Sequence, residues 1–234
     1  MVRARPSRFH FTWLQIVTHL GAIAPLAVMI WDGYHHGLTY NPIQSLTFRT
    51  GKTALVLLML SLSCTPLNSV FGFREAIKLR RPLGVYAFFY ALGHFSIFLF
   101  DYQFDPRMLY DAIFMKRYAL VGFAAFLILL SLAVTSTKGW QKRLGKTWRS
   151  LHNWVYVAAI LVIVHYVWLV KADIRTPLEF GALVAGLLAL RYPPVKRVAR
   201  ALADKTIALF SRRPAARPKT TPVAAELPAR PRKG

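Results

Sequence analysis

Four histidines, His19, His94, His152 and His165, fall inside long apolar runs of a 234-residue chain. Ionisable side chains at membrane depth are costly, usually face the interior of a helix bundle, and are functional by default. A single such histidine is ordinarily neutral and bonded to a carbonyl or hydroxyl of the next helix. Four in one small protein ask for a further reason. Two imidazoles level with each other on separate helices are what axial ligation of a haem iron requires. His94 lies about 12 residues into the third run and His165 about 14 into the fifth, both roughly 18–21 Å above the inner edge at about 1.5 Å per residue. His152 lies about 20 Å below His165 on the same run, close to the inner surface. Thirteen residues turn an ideal helix by about 1300°, leaving His152 and His165 roughly 140° apart, so they cannot face one flat partner. Two offset cofactors, or one cofactor and a structural histidine, both satisfy that geometry. His19, about 12 Å deep in the first run, is a weaker ligand candidate. His10, His35 and His36 read as solvated interface residues, with a stray metal at His35-His36 as the lesser alternative.

The elements that must position these rings are transmembrane helices. The composition is 55% hydrophobic and only 17% charged, and several runs reach the roughly 18–20 apolar residues that cross a bilayer. The spacing predicts spans at about 11–31, 48–67, 82–101, 118–135, 151–170 and 177–191; the last is short and carries Glu179. Pro25 and Pro66 fall within or at the end of spans, which membrane helices tolerate. The net charge is +22, and 24 of the 31 basic residues lie in segments 1–10, 68–81, 136–150 and 191–234. That alternation predicts both termini on the cytoplasmic side and argues against a nucleic-acid surface, which needs basic residues clustered on a folded face. The first span, after Arg3, Arg5 and Arg8, is longer than a signal h-region and lacks a clear cleavage site, so it reads as uncleaved. The single cysteine, Cys64, excludes an intrachain disulfide, and no C-x-x-C-H offers thioether attachment of a c-type haem.

The expected organisation is a cytoplasmic N-terminus over 1–10, an all-α six-helix transmembrane domain over 11–191 that binds haem, and a basic cytoplasmic tail over 192–234. From about residue 211 the tail is rich in Pro, Ala and Arg and is expected to be disordered. Before it, "RYPPVKRVARALADKTIALF" suits either a short basic amphipathic helix on the inner membrane surface or a plain solvated tail, with neither favoured. Around the histidines, Gly84 and Gly93 are expected to leave room for a macrocycle. Phe88, Phe89, Tyr90, Phe95, Trp154, Tyr156, Tyr166 and Trp168 supply aromatic density. The inner segment "STKGWQKRLGKTWRS" carries five basic residues and no acid. It could meet haem propionates, a flavin phosphate or an acidic donor, or serve topology alone.

The stretch "TSTKGWQKRLGKTWRSLHNWVYVAAILVIVHYVWLVK" (135–171) resembles the haem-binding membrane subunit of bacterial periplasmic methionine sulfoxide reductase systems. "THLGAIAPL", "GKTAL", "RRPLG" with "LGHFSIF", and "LRYPPVK" match as well. The resemblance covers roughly residues 10–196 and places the chain with ferric-reductase-like transmembrane domains. It implies a b-type haem protein, with one or two haems, that carries electrons across the bacterial inner membrane. The implied recipient is a periplasmic molybdopterin catalytic subunit that repairs oxidised methionines. The implied donor is a cytosolic flavin reductase or the quinone pool. FMN is also implied, without a site. The family's haem histidines carry over to His94, His152 and His165. The paired histidine that larger relatives have on the third span is absent, with Arg80 and Arg81 in that region, and the haem number stays open.

This chain is therefore expected to conduct electrons rather than to perform substrate chemistry. The rivals are a ferric reductase or respiratory cytochrome b, and a transporter that relays protons through histidines. A relay should also show acids in its spans, and these are nearly free of them apart from Glu179.

Overall fold

The computed structural model describes residues 13–35, 37–170 and 173–210. All regular structure among them is helical. Five long elements carry the apolar runs: α1 (Trp13–Tyr34), α2 (Pro42–Phe71), α3 (Glu75–Asp101), α5 (Arg117–Val134) and α8 (Trp154–Leu169). Between α3 and α5 lie the one-turn α4 (Pro106–Tyr110) and a π-helical turn, Asp111–Met115. The basic inner segment 136–150 folds into α6 (Lys138–Leu144) and most of α7 (Lys146–His152). The chain ends in α9 (Arg175–Ala189) and α10 (Pro193–Phe210). His10, His36 and the tail from residue 211 lie outside the described residues.

Four helices form a ring. α2 packs on α3, α3 on α5, α5 on α8, and α8 back on α2. α3 and α8 therefore face each other across the ring instead of lying side by side. The core runs through Leu55, Leu58 and Leu62 of α2, Ala87 of α3 and Ala158 of α8, all nearly or fully buried. Small residues at such points let helices approach closely where lipid offers no hydrophobic drive between them; Gly84 serves this way, with the Ser61 hydroxyl 3.4 Å from where a Cβ would stand. The outer faces carry exposed Trp13, Leu20, Phe89 and Trp154. An all-round apolar surface of this kind belongs against lipid.

Proline distorts two of these helices, and side chains from elsewhere repair the backbone. Pro25 sits inside α1, where its ring cannot fit an unbroken ladder. The Tyr90 hydroxyl of α3 enters the gap, donating to the Ala22 carbonyl at 2.8 Å and accepting from the Leu26 N–H at 3.0 Å. Pro66 in α2 has no N–H to give the Leu62 carbonyl. Arg191, beyond α9, donates to that carbonyl at 3.0 Å. Its guanidinium also bonds the Tyr156 hydroxyl and lies 4.5 Å over the Tyr156 ring. In hydrocarbon an unsatisfied carbonyl costs several kcal/mol on the order of magnitude, so both repairs bind separate helices together.

α9 is short for a span: its 15 residues rise only about 22 Å. It nevertheless runs back along the whole of α8. Phe180 pairs with Tyr166 at 6.5 Å, Gly181 approaches Ile163, and Arg191 meets Tyr156 near the inner start of α8. Five helices, α1, α2, α3, α5 and α8, are long and apolar enough to cross a membrane, and α9 with α10 makes a sixth if that bent pair counts as one span, against the six that the hydropathy pattern predicts. α10 then turns away from α9 by 94°.

Candidate functional site

His94 on α3 and His165 on α8 meet across the ring with their centroids 6.2 Å apart and their planes 86° apart. An imidazole nitrogen binds a first-row metal at about 2 Å, so two rings gripping one metal from opposite sides hold their centroids about 6 Å apart. The observed spacing matches that distance and is too long for a direct hydrogen bond between the rings.

Each ring is oriented in the same way. His94 Nδ1 lies 2.9 Å from the Thr47 carbonyl, and His165 Nδ1 lies 2.7 Å from the Tyr118 carbonyl. A carbonyl only accepts, so in each ring the proton is on Nδ1 and Nε2 keeps its lone pair. A histidine whose second nitrogen donates to a carbonyl is the arrangement that fixes tautomer and ring direction in metal sites. Each carbonyl precedes its histidine by 47 residues. Four residues after each carbonyl comes a glycine: Gly51 on α2 and Gly122 on α5. A Cβ on Gly51 would stand 3.0 Å from His94 Nδ1, and one on Gly122 only 2.5 Å from His165 Nδ1. The two hairpins, α2–α3 and α5–α8, thus present the same device twice: carbonyl, glycine and histidine.

The rings open on a cavity of about 780 Å³ in the outer half of the bundle, lined by all four ring helices. Pockets for organic cofactors run to about 300–1,000 Å³, mostly apolar with a few polar groups. One wall is phenyl: Phe95 stacks on Phe126 at 4.6 Å, with Phe98 and Phe123 beside it. The outer mouth carries Arg49, Lys52, Asp101 and Tyr102. Arg49 is ion-paired with Asp32 of α1. Outside the span, Lys116 donates to the Tyr102 hydroxyl at 2.7 Å, and that bond raises the lysine pKa above its ordinary value.

The other histidines stand elsewhere. His152 closes α7 at the inner end and does not line this cavity. Its Nε2 is 3.2 Å from the Thr135 hydroxyl, and its ring stacks on Trp148 at 4.0 Å. The turn at Asn153 separates it from α8. His19 bonds the Tyr86 hydroxyl through Nδ1 at 2.9 Å, and His35 rests on Trp31 at 4.1 Å. Among the described residues, no group of three or more His, Cys, Asp and Glu could hold a bare metal ion.

The sequence reading missed Gly51 and Gly122. It favoured Gly84, which packs α3 on α2, and Gly93, around which a Cβ would meet nothing within 4 Å. The equal spacing of glycine to histidine in both hairpins was the available signal. Of the aromatic residues singled out, Phe95 and Tyr166 line the cavity, whereas Phe89, Trp154 and Trp168 face outward.

Residues 50–163 match the family described as ferric reductase like transmembrane component. The chain is 38% identical over 182 residues to the protein-methionine-sulfoxide reductase heme-binding subunit MsrQ of Xanthomonas euvesicatoria, across 75% of this chain and 84% of that relative. The protein of the same name from Deinococcus radiodurans is 39% identical over 186 residues, covering 78% and 92%. The Xanthomonas campestris protein (strain 8004) is 40% identical over 179 residues, covering 74% and 80%. No solved structure matches.

Proposed function

The chain belongs to the MsrQ family of haem-binding subunits of protein-methionine-sulfoxide reductase, and from that premise we propose that His94 and His165 are the axial ligands of its haem b. It is a multi-pass membrane protein, the haem-binding subunit of a methionine sulfoxide reductase system, and it works with a separate catalytic subunit. The observation that carries the ligand assignment is the pair of imidazoles 6.2 Å apart, each with Nδ1 committed to a carbonyl. A ferric-reductase, respiratory cytochrome b or proton-relay reading is not favoured by these relatives.

The residues present fit a haem. The two Nε2 atoms are free to bind iron, Gly51 and Gly122 leave space behind the rings, and the apolar cavity has the right size. When bound, haem supplies a one-electron carrier. The protein holds the imidazoles neutral and fixed, while the phenyl wall keeps water out and so biases the reduction potential. Arg49 and Lys52 at the mouth are cations suited to propionate carboxylates. We assign the outer position to delivery toward a periplasmic molybdopterin subunit. There a methionine sulfoxide takes up two electrons and two protons to give methionine and water. The membrane is the bacterial inner membrane, and the donor is a cytosolic flavin reductase or a quinol. FMN belongs to this reading through family resemblance alone, with no residue assigned to it.

His152 is proposed as a ligand of a second, inner haem; ligation through Nε2 would take that nitrogen from the Thr135 hydroxyl, which leaves Nδ1 as the nitrogen at liberty. The purified wild type should show a Soret band and a low-spin bis-imidazole spectrum. Full haem retention in His94→Ala would overturn the ligand assignment.

A further inference from the structure

The helix after the last span contributes no residue to the cavity at His94 and His165, yet its position and residues are specific. Pro193 and Pro194 end the α9 direction because neither can donate to the preceding turn. α9 lies antiparallel to α8 and so runs along the membrane normal. A helix bent 94° from it lies in the membrane plane, at the inner end where Arg191 meets Tyr156 and Leu62.

At 100° per residue, α10 divides into three sides. Ala203 is buried, on the side packed against α2. Val195, Val198 and Leu202 form an apolar stripe next to it, and Val198 and Leu202 are 61% and 60% exposed. Arg197, Arg200 and Asp204 occupy the remaining side, with Lys196 and Lys205 at its borders. An in-plane helix with an apolar stripe, a cationic side and flanking lysines is built to lie at the level of lipid headgroups.

We propose that α10 is a lipid-binding element: its Val195–Val198–Leu202 stripe enters the inner leaflet, and Arg197, Arg200 and Lys205 bind anionic phospholipid headgroups. The occupant is lipid and not a second protein, because the helix continues from a membrane span at the depth where acyl chains begin. Its four cations, Lys196, Arg197, Arg200 and Lys205, against the one acid Asp204, match an anionic leaflet, whose surface attracts such clusters. This holds independently of what the histidines bind.

The test uses the full chain in vesicles of phosphatidylcholine alone and of equimolar phosphatidylcholine and phosphatidylglycerol. The sole cysteine, Cys64, is buried, so a Cys64→Ser background accepts an environment-sensitive fluorophore at Leu202→Cys or, as control, at Arg197→Cys. The Leu202 probe should emit to the blue and be quenched by nitroxide-labelled acyl chains, more strongly in the anionic vesicles. The Arg197 probe should stay quenchable from water. Replacing Arg197, Arg200 and Lys205 with Gln should weaken the preference for phosphatidylglycerol, read by native mass spectrometry, by roughly fivefold per charge. Gel-filtration elution of each variant verifies the fold. A Leu202 probe that is exposed to water, or shielded from both water and lipid as a protein partner would leave it, overturns the proposal. So does an unchanged phosphatidylglycerol preference in the triple variant.

Discussion

The outer and inner ends of the helix ring hold histidines in opposite ways. At the outer end, two rings converge across a cavity, and each is held from behind by a carbonyl and a glycine. At the inner end, His152 has its Nε2 against a hydroxyl and its face against Trp148. At the matching depth on α3 the chain carries Arg80 and Arg81. Orientation explains the difference. A histidine whose Nδ1 proton is claimed by a carbonyl has Nε2 left to offer a metal, whereas His152, engaged through Nε2, offers Nδ1 and binds through Nε2 only by giving up its Thr135 bond.

Replacing the two proposed ligands breaks the comparison most directly. His94→Ala and His165→Ala should each lose nearly all haem by pyridine haemochrome assay, with helical circular dichroism unchanged. Equal losses are expected, since the two hairpins hold their rings alike. The backing glycines sharpen it. Gly122→Ala puts a Cβ 2.5 Å from His165 Nδ1, and rotating the ring away should weaken haem retention by roughly 10–100-fold. Gly51→Ala, with 3.0 Å available, should do the same more weakly, and a reversed order would refute the backing role. His152→Ala should remove only part of the haem and leave the outer pair's low-spin signal intact. Loss of that signal would mean that the two ends are not separate sites. Smallest is Tyr90→Phe, which leaves Ala22 and Leu26 without their hydroxyl bridge. It should lower stability by about 1–3 kcal/mol, visible as a reduced melting temperature with an unaltered Soret band.

Hydropathy made the spans legible because a membrane helix must be apolar over its whole crossing. Rise per residue was enough to place His94 and His165 at one height. Azimuth and partner were not. Nothing local to Gly51 or Gly122 marks them as the floor beneath a ring, because that role exists only once α2 meets α3 and α5 meets α8. Gly84 looked equivalent and turned out to serve helix packing. The short helices α4, α6 and α7 were missed because their patterns are too brief for periodicity to register. Arg191 looked like one more positive-inside charge. Its bond to a carbonyl released by Pro66 is a tertiary fact that no window around either residue contains.

That bond joins positions 129 residues apart, which sets a rule for biogenesis. The second helix enters the bilayer with one carbonyl lacking its partner, and the remedy is synthesised only after the final crossing. A chain cut before residue 191 would leave the Leu62 carbonyl without that donor. Completing the last elbow thus closes a gap opened in the second helix 129 residues earlier.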